Sequence, residues 1–517
     1  MAIEEPNDLS GSVLIELIHK LFEQQAACTP DAIAVCDDLY ELSYQQLDAI
    51  ANQAANLLVA RGVEVGDVVG LCMERSVVMV IGLLAILKAG AAYLPLDPNQ
   101  PSSRRDCICD DAQIDMVFTQ EDLTHSNDNG VTLINIEDAD TYSPERPQLV
   151  RKLLPKDLVY VLYTSGTTGH PKGVEVCHRG LSNVIRYRFQ SFLHPSDCAV
   201  FPVTASLDSD ASAGQIFSPL CSGGKLIVAE NLFTLAESDH YDEITCIGST
   251  PSVISEFINH FDMPVSLKVL LLGGEIVEKY LCEKIWEQTS VLRLVNLYGP
   301  TETTVHSTSA LLFERGGVDG AQAAINLPIT IGSPIDNTQV YILDKDLNES
   351  GEDQSGEIYI SGFGLAQGYR NRPALTDEKF KTIYLNGQSV RTYATGDMGV
   401  RLENGDIKFI GRIDRQVKIR GNRIELDEIE SSILNCHFVK QCAVDVEDID
   451  MQKAIVAYIV FDQSLQTKVQ LRELQQYLRQ QLPIYMFPQR FAVMDELKLT
   501  SNGKIDRRSL ANHSKQL

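Results

Sequence analysis

Between Tyr163 and Gly173 the chain reads Tyr163-Thr164-Ser165-Gly166-Thr167-Thr168-Gly169-His170-Pro171-Lys172-Gly173. Glycines let a backbone turn tightly and bring its N–H groups close to an anion. Around them, Thr164, Ser165, Thr167 and Thr168 supply hydroxyl donors and Lys172 supplies charge, a set suited to a polyphosphate, with ATP as the first hypothesis. The stretch is not a Walker loop, because Pro171 precedes the lysine and Gly173 follows it where G-x-x-x-x-G-K-[ST] is required. Taken alone it also admits a Gly/Thr surface loop that binds nothing.

The whole chain bounds what this loop can serve. At 517 residues it exceeds a single core, and 44% hydrophobic residues is ordinary for a globular protein. The 44 Lys and Arg against 70 Asp and Glu leave a formal charge of −26. Such a surplus repels nucleic acid and anionic membrane surfaces, so neither is expected as a partner. It repels ATP as well, so a nucleotide site must gather N–H groups and cations locally, and Lys172 gains weight. The 12 cysteines show no zinc-type pairing; they read as reduced thiols. The N-terminus lacks the basic and apolar pattern of a secretory signal, and the longest apolar run, 77–87, is too short to span a bilayer. The expected location is cytoplasmic.

The loop needs a scaffold. Leu14, Leu17, Ile18, Leu21 and Phe22 recur at helical spacing, as do Leu47, Ile50, Ala54, Leu57 and Leu58, and each pattern is followed by a short β-branched run at 33–35 or 68–71. The alternation predicts an α/β layered core. Apolar runs at 158–163, 200–203, 225–228, 269–272 and 292–296 read as buried strands whose ends deliver loops, and 77–87 reads as a buried helix stopped at Gly90. Past residue 330, shorter β-like segments appear at 339–343, 356–360, 406–409 and 416–419. A smaller C-terminal unit is expected from about 411–414, with helices at 425–434 and 471–482.

With these residues assembled, the chain resembles the adenylation domains of nonribosomal peptide synthetases, within the superfamily of acyl- and aryl-CoA ligases and luciferases. The resemblance runs nearly end to end. Leu42-Ser43-Tyr44-Gln45-Gln46-Leu47 and Leu87-Lys88-Ala89-Gly90-Ala91-Ala92-Tyr93-Leu94-Pro95-Leu96-Asp97 are similar to the first two core motifs, and the Thr164 to Lys172 loop to the third. Asn296-Leu297-Tyr298-Gly299-Pro300-Thr301-Glu302, Gly356-Glu357-Ile358, Thr395-Gly396-Asp397, Gly411-Arg412-Ile413-Asp414, Leu482-Pro483 through Pro488, and Asn502-Gly503-Lys504-Ile505-Asp506-Arg507 follow in the family's order. The order makes the set specific where each motif alone is weak.

The resemblance implies an α/β fold: a large, multi-layered adenylate-forming core (1–413) and a smaller, mobile α+β domain (414–517). It implies MgATP as cosubstrate and a reaction in two halves. A carboxylate first attacks the α-phosphate and expels pyrophosphate; the acyl-adenylate is then passed to a phosphopantetheine thiol. By motif, Lys504 contacts the carboxylate and adenylate oxygens, and Thr164, Ser165, Gly166, Thr167, Thr168, Gly169 and Lys172 handle the outer phosphates. Glu302 matches the magnesium-associated glutamate. Asp397 and Arg412 match the ribose partners, with Phe409 where a ribose-contacting tyrosine often stands. Asn296, Tyr298, Gly299 and Thr301 match positions around adenine and phosphate, and Asp414 matches the hinge. Arg412, Arg415, Lys418, Arg420 and Arg423 form the most basic run, read either as a guide for an acidic carrier or as a solvated strand face.

Asp210 aligns with the aspartate that pairs with a substrate α-ammonium, which favours an amino acid over a fatty or aryl acid that would leave the carboxylate unpaired. Counting from the motifs, the side-chain pocket is lined by Ala211, Gly214, Gly248, Leu271, Gly273, Leu297, Val305 and His306. The lining contains no acid or lysine, so a compact neutral amino acid is expected, L-proline first, although three glycines also admit a large side chain. Departures from the family pattern are Ser209 for Phe, Ala394 and Gln367 for Arg, Phe409 for Tyr and Asp427 for Gly; none removes a charged catalytic group. No carrier-type Gly-Gly-x-Ser site follows Lys504, so a separate carrier protein is expected. The rivals are an acyl-CoA ligase of the same fold and an inactive scaffold homologue.

Overall fold

The computed structural model describes residues 16–120, 131–166, 171–193, 200–316, 325, 328–385, 387–449, 452–462, 467–498 and 505–510. The site's large-domain side is carried by two mixed sheets. One has seven strands, in spatial order Gly368–Tyr369, Lys172–Cys177, Leu158–Thr164, Ala92–Pro95, Val68–Cys72, Met116–Thr119 and Thr132–Asn135. The other has five, in order Cys246–Ser249, Val269–Gly273, Arg293–Tyr298, Thr308–Glu314 and Ser333–Pro334. The runs read as buried strands at 158–163, 200–203, 225–228, 269–272 and 292–296 are all strands, to within two residues at each end. Their near-continuous apolar character follows from parallel pairing with both faces covered.

Two of the N-terminal motifs serve the scaffold. Ser43 N-caps the helix Tyr44–Ala60 in a reciprocal capping box with Gln46, satisfying two orphan backbone donors. Tyr44 next to it is fully buried and donates its hydroxyl to the Pro219 and Gly224 carbonyls. The helix Val77–Lys88 is buried around its whole circumference, and Gly90 at φ +89° ends it. Its last residue, Lys88, is buried yet held by Glu23 (3.1 Å), Asp48 (2.7 Å) and Asn52 (2.8 Å), the pairing that a buried ammonium requires.

A third, antiparallel sheet of Thr338–Leu343, Ser355–Gly362, Gln388–Arg401, Phe380–Leu385 and Ile407–Arg412 closes the large domain. The smaller C-terminal domain has its own core, with Ile424, Ile429, Ile433, Val444, Ile455, Leu474 and Leu478 all buried. It consists of the hairpin Val417–Ile419/Asn422–Ile424, a three-stranded sheet and the helices Leu426–Leu434 and Thr467–Gln481. The helix expected from Leu14 begins at Ile18, and residues 14 and 15 lie outside the described residues. Among the described residues the cysteines are all unpaired thiols, and no helix is long and apolar enough to cross a membrane.

Candidate active site

The strands Leu158–Thr164 and Lys172–Cys177 pair antiparallel, with Thr164 opposite Lys172 and Tyr163 opposite Gly173. This register brings the ends of the Gly/Thr loop together. Gly173 is required there, since a Cβ would lie 2.8 Å from the Tyr163 ring. Thr167, Thr168 and Gly169 lie outside the described residues, as does Lys504. Among the described residues Thr164 Oγ1 is buried without a partner, the Ser165 hydroxyl donates to the Arg423 carbonyl (2.9 Å), and Gly166 N–H donates to Glu428 Oε2 (3.1 Å).

Glu302 is fully buried and is the electrostatic centre of the site. Its Oε1 accepts from the Tyr369 hydroxyl at 2.7 Å and stands 3.3 Å from Lys172 Nζ; its Oε2 accepts from Arg423 Nη1 at 2.7 Å. Burial alone would raise the carboxyl, but Arg423 first and Lys172 next overcome it and hold Glu302 well below the usual carboxylate range. Lys172 is pushed down to about 8, chiefly by burial, with Glu302 opposing and Arg423 reinforcing. Its ammonium also lies over the Tyr369 ring, 4.6 Å from the centroid.

A second cluster forms where Gln388–Arg401 meets Ile407–Arg412 and places Asp397 opposite Arg412. Asp397 accepts from Arg412 Nη1 and from the Tyr298 hydroxyl, the latter at 2.6 Å. Arg412 also binds Asp414 through Nε (2.7 Å) and Nη2 (2.8 Å). Phe409 packs on Tyr298 with ring centroids 6.3 Å apart, and Asn296 donates to the Thr330 carbonyl (2.7 Å). Gly299 approaches the backbone at His306 so closely that a Cβ would lie 2.6 Å from its Cα. A cleft of about 50 Å³ between the domains is lined by Gly166, Lys172, Thr395, Arg412, Asp414 and Arg423, among others.

The pocket positions converge as well. Asp210 and Ala211 open the helix Asp210–Leu220, and Gly214 lies one turn on. Gly248 pairs with Leu271 and Gly273 with Leu297 across adjacent strands, while Val305 and His306 follow Glu302 in a turn where Thr304 and Val305 both have positive φ (63° and 61°). Burial raises the Asp210 carboxyl, opposed by Lys418 and by a hydrogen bond from Thr301.

Three residues were not marked by any motif: Tyr369 on Glu302, Glu428 on the Gly/Thr loop, and Arg188, which packs against Gly214. Glu428 also pairs with buried Arg104 of the large domain at 2.9 Å. The basic run is not a free solvated face: Arg412 pairs with Asp397 and Asp414, Arg415 with Asp427 and Glu430, and Arg423 with Glu302.

Residues 22–370 match the profile described as AMP-binding enzyme, and 428–504 match the AMP-binding enzyme C-terminal domain. This chain belongs to the AMP-binding enzyme family. Within it the chain is 38% identical to zwittermicin A synthase ZmaJ of Bacillus cereus over 96% of this chain and 94% of that protein. It is also 37% identical to tyrocidine synthase 1 of Brevibacillus parabrevis over 95% of this chain, and spans only 44% of that protein's length. The dimodular nonribosomal peptide synthase of Bacillus subtilis is 37% identical over 98% of this chain, which spans 21% of its length. The chain thus covers less than half of the longer curated relatives it matches. Among solved structures it superposes on a holo NRPS protein containing adenylation and PCP domains, bound to a vinylsulfonamide inhibitor, with TM-score 0.84 and 28% identity; the match covers 98% of this chain and 86% of that one. This AMP-binding enzyme is thus α/β, with a large core and a smaller C-terminal domain.

Proposed function

We propose that the chain activates an amino acid as its aminoacyl-adenylate at the expense of ATP, releasing pyrophosphate, and passes the aminoacyl group to the phosphopantetheine thiol of a separate carrier protein. The observation that carries this reading is the convergence of Lys172, Glu302 and the Asp397–Arg412 pair around one interdomain cleft. In the first half-reaction negative charge builds on the α-phosphate and the departing pyrophosphate, and preorganised cations there lower the barrier. Lys172, the Thr164 and Ser165 hydroxyls and the Gly166 N–H take the outer phosphates. Asp397 accepts from the ribose hydroxyls beside Phe409, Tyr298 stacks on adenine with Asn296 at its edge, and Lys504 reaches the attacking carboxylate.

Glu302 is the residue that would hold Mg²⁺, and the donor set fits it. Its carboxylate supplies hard oxygen ligands to a cation that keeps water and phosphate oxygens in the rest of its shell. Its chemistry there is to neutralise charge on the phosphates. Both Glu302 oxygens are engaged by Tyr369, Lys172 and Arg423 in the observed arrangement, so metal binding calls for Arg423 to withdraw. That supports a mobile domain of 414–517 turning about Asp414, with the hairpin in the cleft for transfer and Lys504 there for adenylation.

Asp210 supports an amino acid as substrate. The lining at Leu271, Gly273, Leu297 and Val305 supports a compact side chain, L-proline or another neutral one when only those motif positions are counted; Arg188 adds a charge that they lack. Pyrophosphate exchange with an amino-acid panel tests the first half-reaction. Transfer to a loaded carrier compared with free CoA separates the reading from an acyl-CoA ligase, and absence of exchange with every acid would leave an inactive scaffold.

A further inference from the structure

Arg188 lies in the last turn of the helix His178–Ser191, and its guanidinium crosses to the helix that begins with Asp210. A Cβ at Gly214 would meet Nη1 at 2.6 Å and Nη2 at 2.8 Å, so glycine there is the condition for the arginine's position. Arg188 is 5% exposed. Nη1 donates to the Ser218 hydroxyl at 3.2 Å, Nη2 lies 3.5 Å from His306 Nδ1, and Nε has no partner among the described residues. No ion pair among the described residues neutralises it. Burial pushes it down to about 10, with Cys246 and Asp210 opposing, so it is a cation at neutral pH.

The histidine beside it points the same way. Arginine can only donate, so His306 Nδ1 accepts and the ring proton resides on Nε2. That Nε2 is also buried without a partner among the described residues. Two N–H donors and a positive charge without an ion pair among the described residues therefore stand together beside Gly214 and His306, two of the positions read as pocket lining. A lone buried charge is strongly unfavourable, and buried donors are nearly always satisfied. An arginine in a last helical turn can serve the helix dipole, but the contacts of Arg188 are with the side chains of Ser218 and His306 on other elements. Asp210 and Gly214 are four residues apart on one helix, about 6 Å along its axis. The pocket thus presents an acid near one end and a cation one helical turn deeper.

We propose that the amino acid activated here carries a second carboxylate on a short side chain, as L-aspartate and L-glutamate do, and that Arg188 receives it with His306 Nε2–H beside it. The inference rests on amino-acid activation as proposed above, and it sets the charge of the side chain where the apolar lining sets its compactness. Asp210 takes the ammonium, Arg188 the distal carboxylate, and the α-carboxylate is left to react.

Pyrophosphate exchange with aspartate, glutamate, asparagine, glutamine, proline and glycine tests it, in the wild-type chain and in Arg188→Gln and Arg188→Lys. The expected wild-type result is preference for an acid over its own amide by roughly 100-fold in kcat/KM. Arg188→Gln abolishes or inverts that ratio, and Arg188→Lys keeps part of it. A purely structural arginine would lower all substrates alike and leave the ratio in place. Wild-type preference for proline or another neutral amino acid, or an acid-to-amide ratio unmoved by Arg188→Gln, overturns the inference while amino-acid activation stands. Exchange with none of the six removes the premise itself. If Arg188→Gln does not fold, the wild-type ranking and Arg188→Lys decide.

Discussion

Arg423 Nη1 lies 2.7 Å from Glu302 Oε2, so a side chain of the small domain's hairpin is seated on a fully buried acid of the large core. Lys172 shares that carboxylate from the other side. The three charges form one unit in which Arg423 alone belongs to the smaller domain. Because Glu302 keeps Lys172 when Arg423 is removed, the acid is not stranded, and the effect of the loss falls on domain arrangement.

Arg423→Ala is therefore expected to separate the two half-reactions. Pyrophosphate exchange should be retained or raised, because Glu302 is freed, while loading of carrier should fall by about tenfold or more, as loss of one charge-assisted contact of about 1.5–3 kcal/mol implies. Measuring both rates on one preparation decides; equal loss in both would place Arg423 in the adenylation chemistry instead.

Lys172 gives a pH dependence with a definite sign. Its folded pKa of about 8 lies below the ordinary lysine value of 10.5, so between those values the unfolded chain binds more protons and stability rises with pH. Under the proposed function activity runs the other way, because the ammonium is the form that would take a phosphate. The kcat/KM for ATP, which reports the free enzyme, should decline above pH about 8. Lys172→Arg should remove that limb at reduced overall rate, and an alkaline limb identical in the variant would assign it to another group.

What the sequence disclosed and what it withheld differ by physical cause. The strands at 158–163 and 269–272 were legible because continuous apolar runs of that length admit few other burials, and Glu302 and Asp397 because motif order fixed them. Arg423 stood in the basic run without an assigned partner, since ion pairs between domains depend on how the domains dock and leave no periodic signal. Arg188 was hidden more deeply. A basic residue ending an amphipathic helix reads as a dipole partner at the surface, and only the missing side chain of Gly214, on a different helix, admits its guanidinium to the interior.

Asp397→Asn tests the ribose assignment. Asparagine keeps the shape but removes the charge that balances Arg412, and the Tyr298 hydroxyl keeps an acceptor only in one amide orientation. The Michaelis constant for ATP should rise roughly tenfold or more, with a smaller change in that for the amino acid. An unchanged ATP constant would remove Asp397 from the nucleotide site.

The turn after Glu302 stores backbone strain that can be read out separately. Thr304 and Val305 have φ of 63° and 61°, a region in which β-branched residues are outliers and which costs on the order of 1–3 kcal/mol per residue. Thr304 is anchored there by its hydroxyl donating to the Gly364 carbonyl at 2.6 Å, and the turn sets His306 against Arg188. Val305→Asn supplies a residue more tolerant of this conformation, so the melting temperature should rise or hold even though a methyl-bearing wall is lost. Under the proposed lining, selectivity among amino acids should loosen at the same time, since the position changes from apolar to polar. A clear drop in melting temperature without a change in selectivity would show that Val305 contributes packing and not pocket shape.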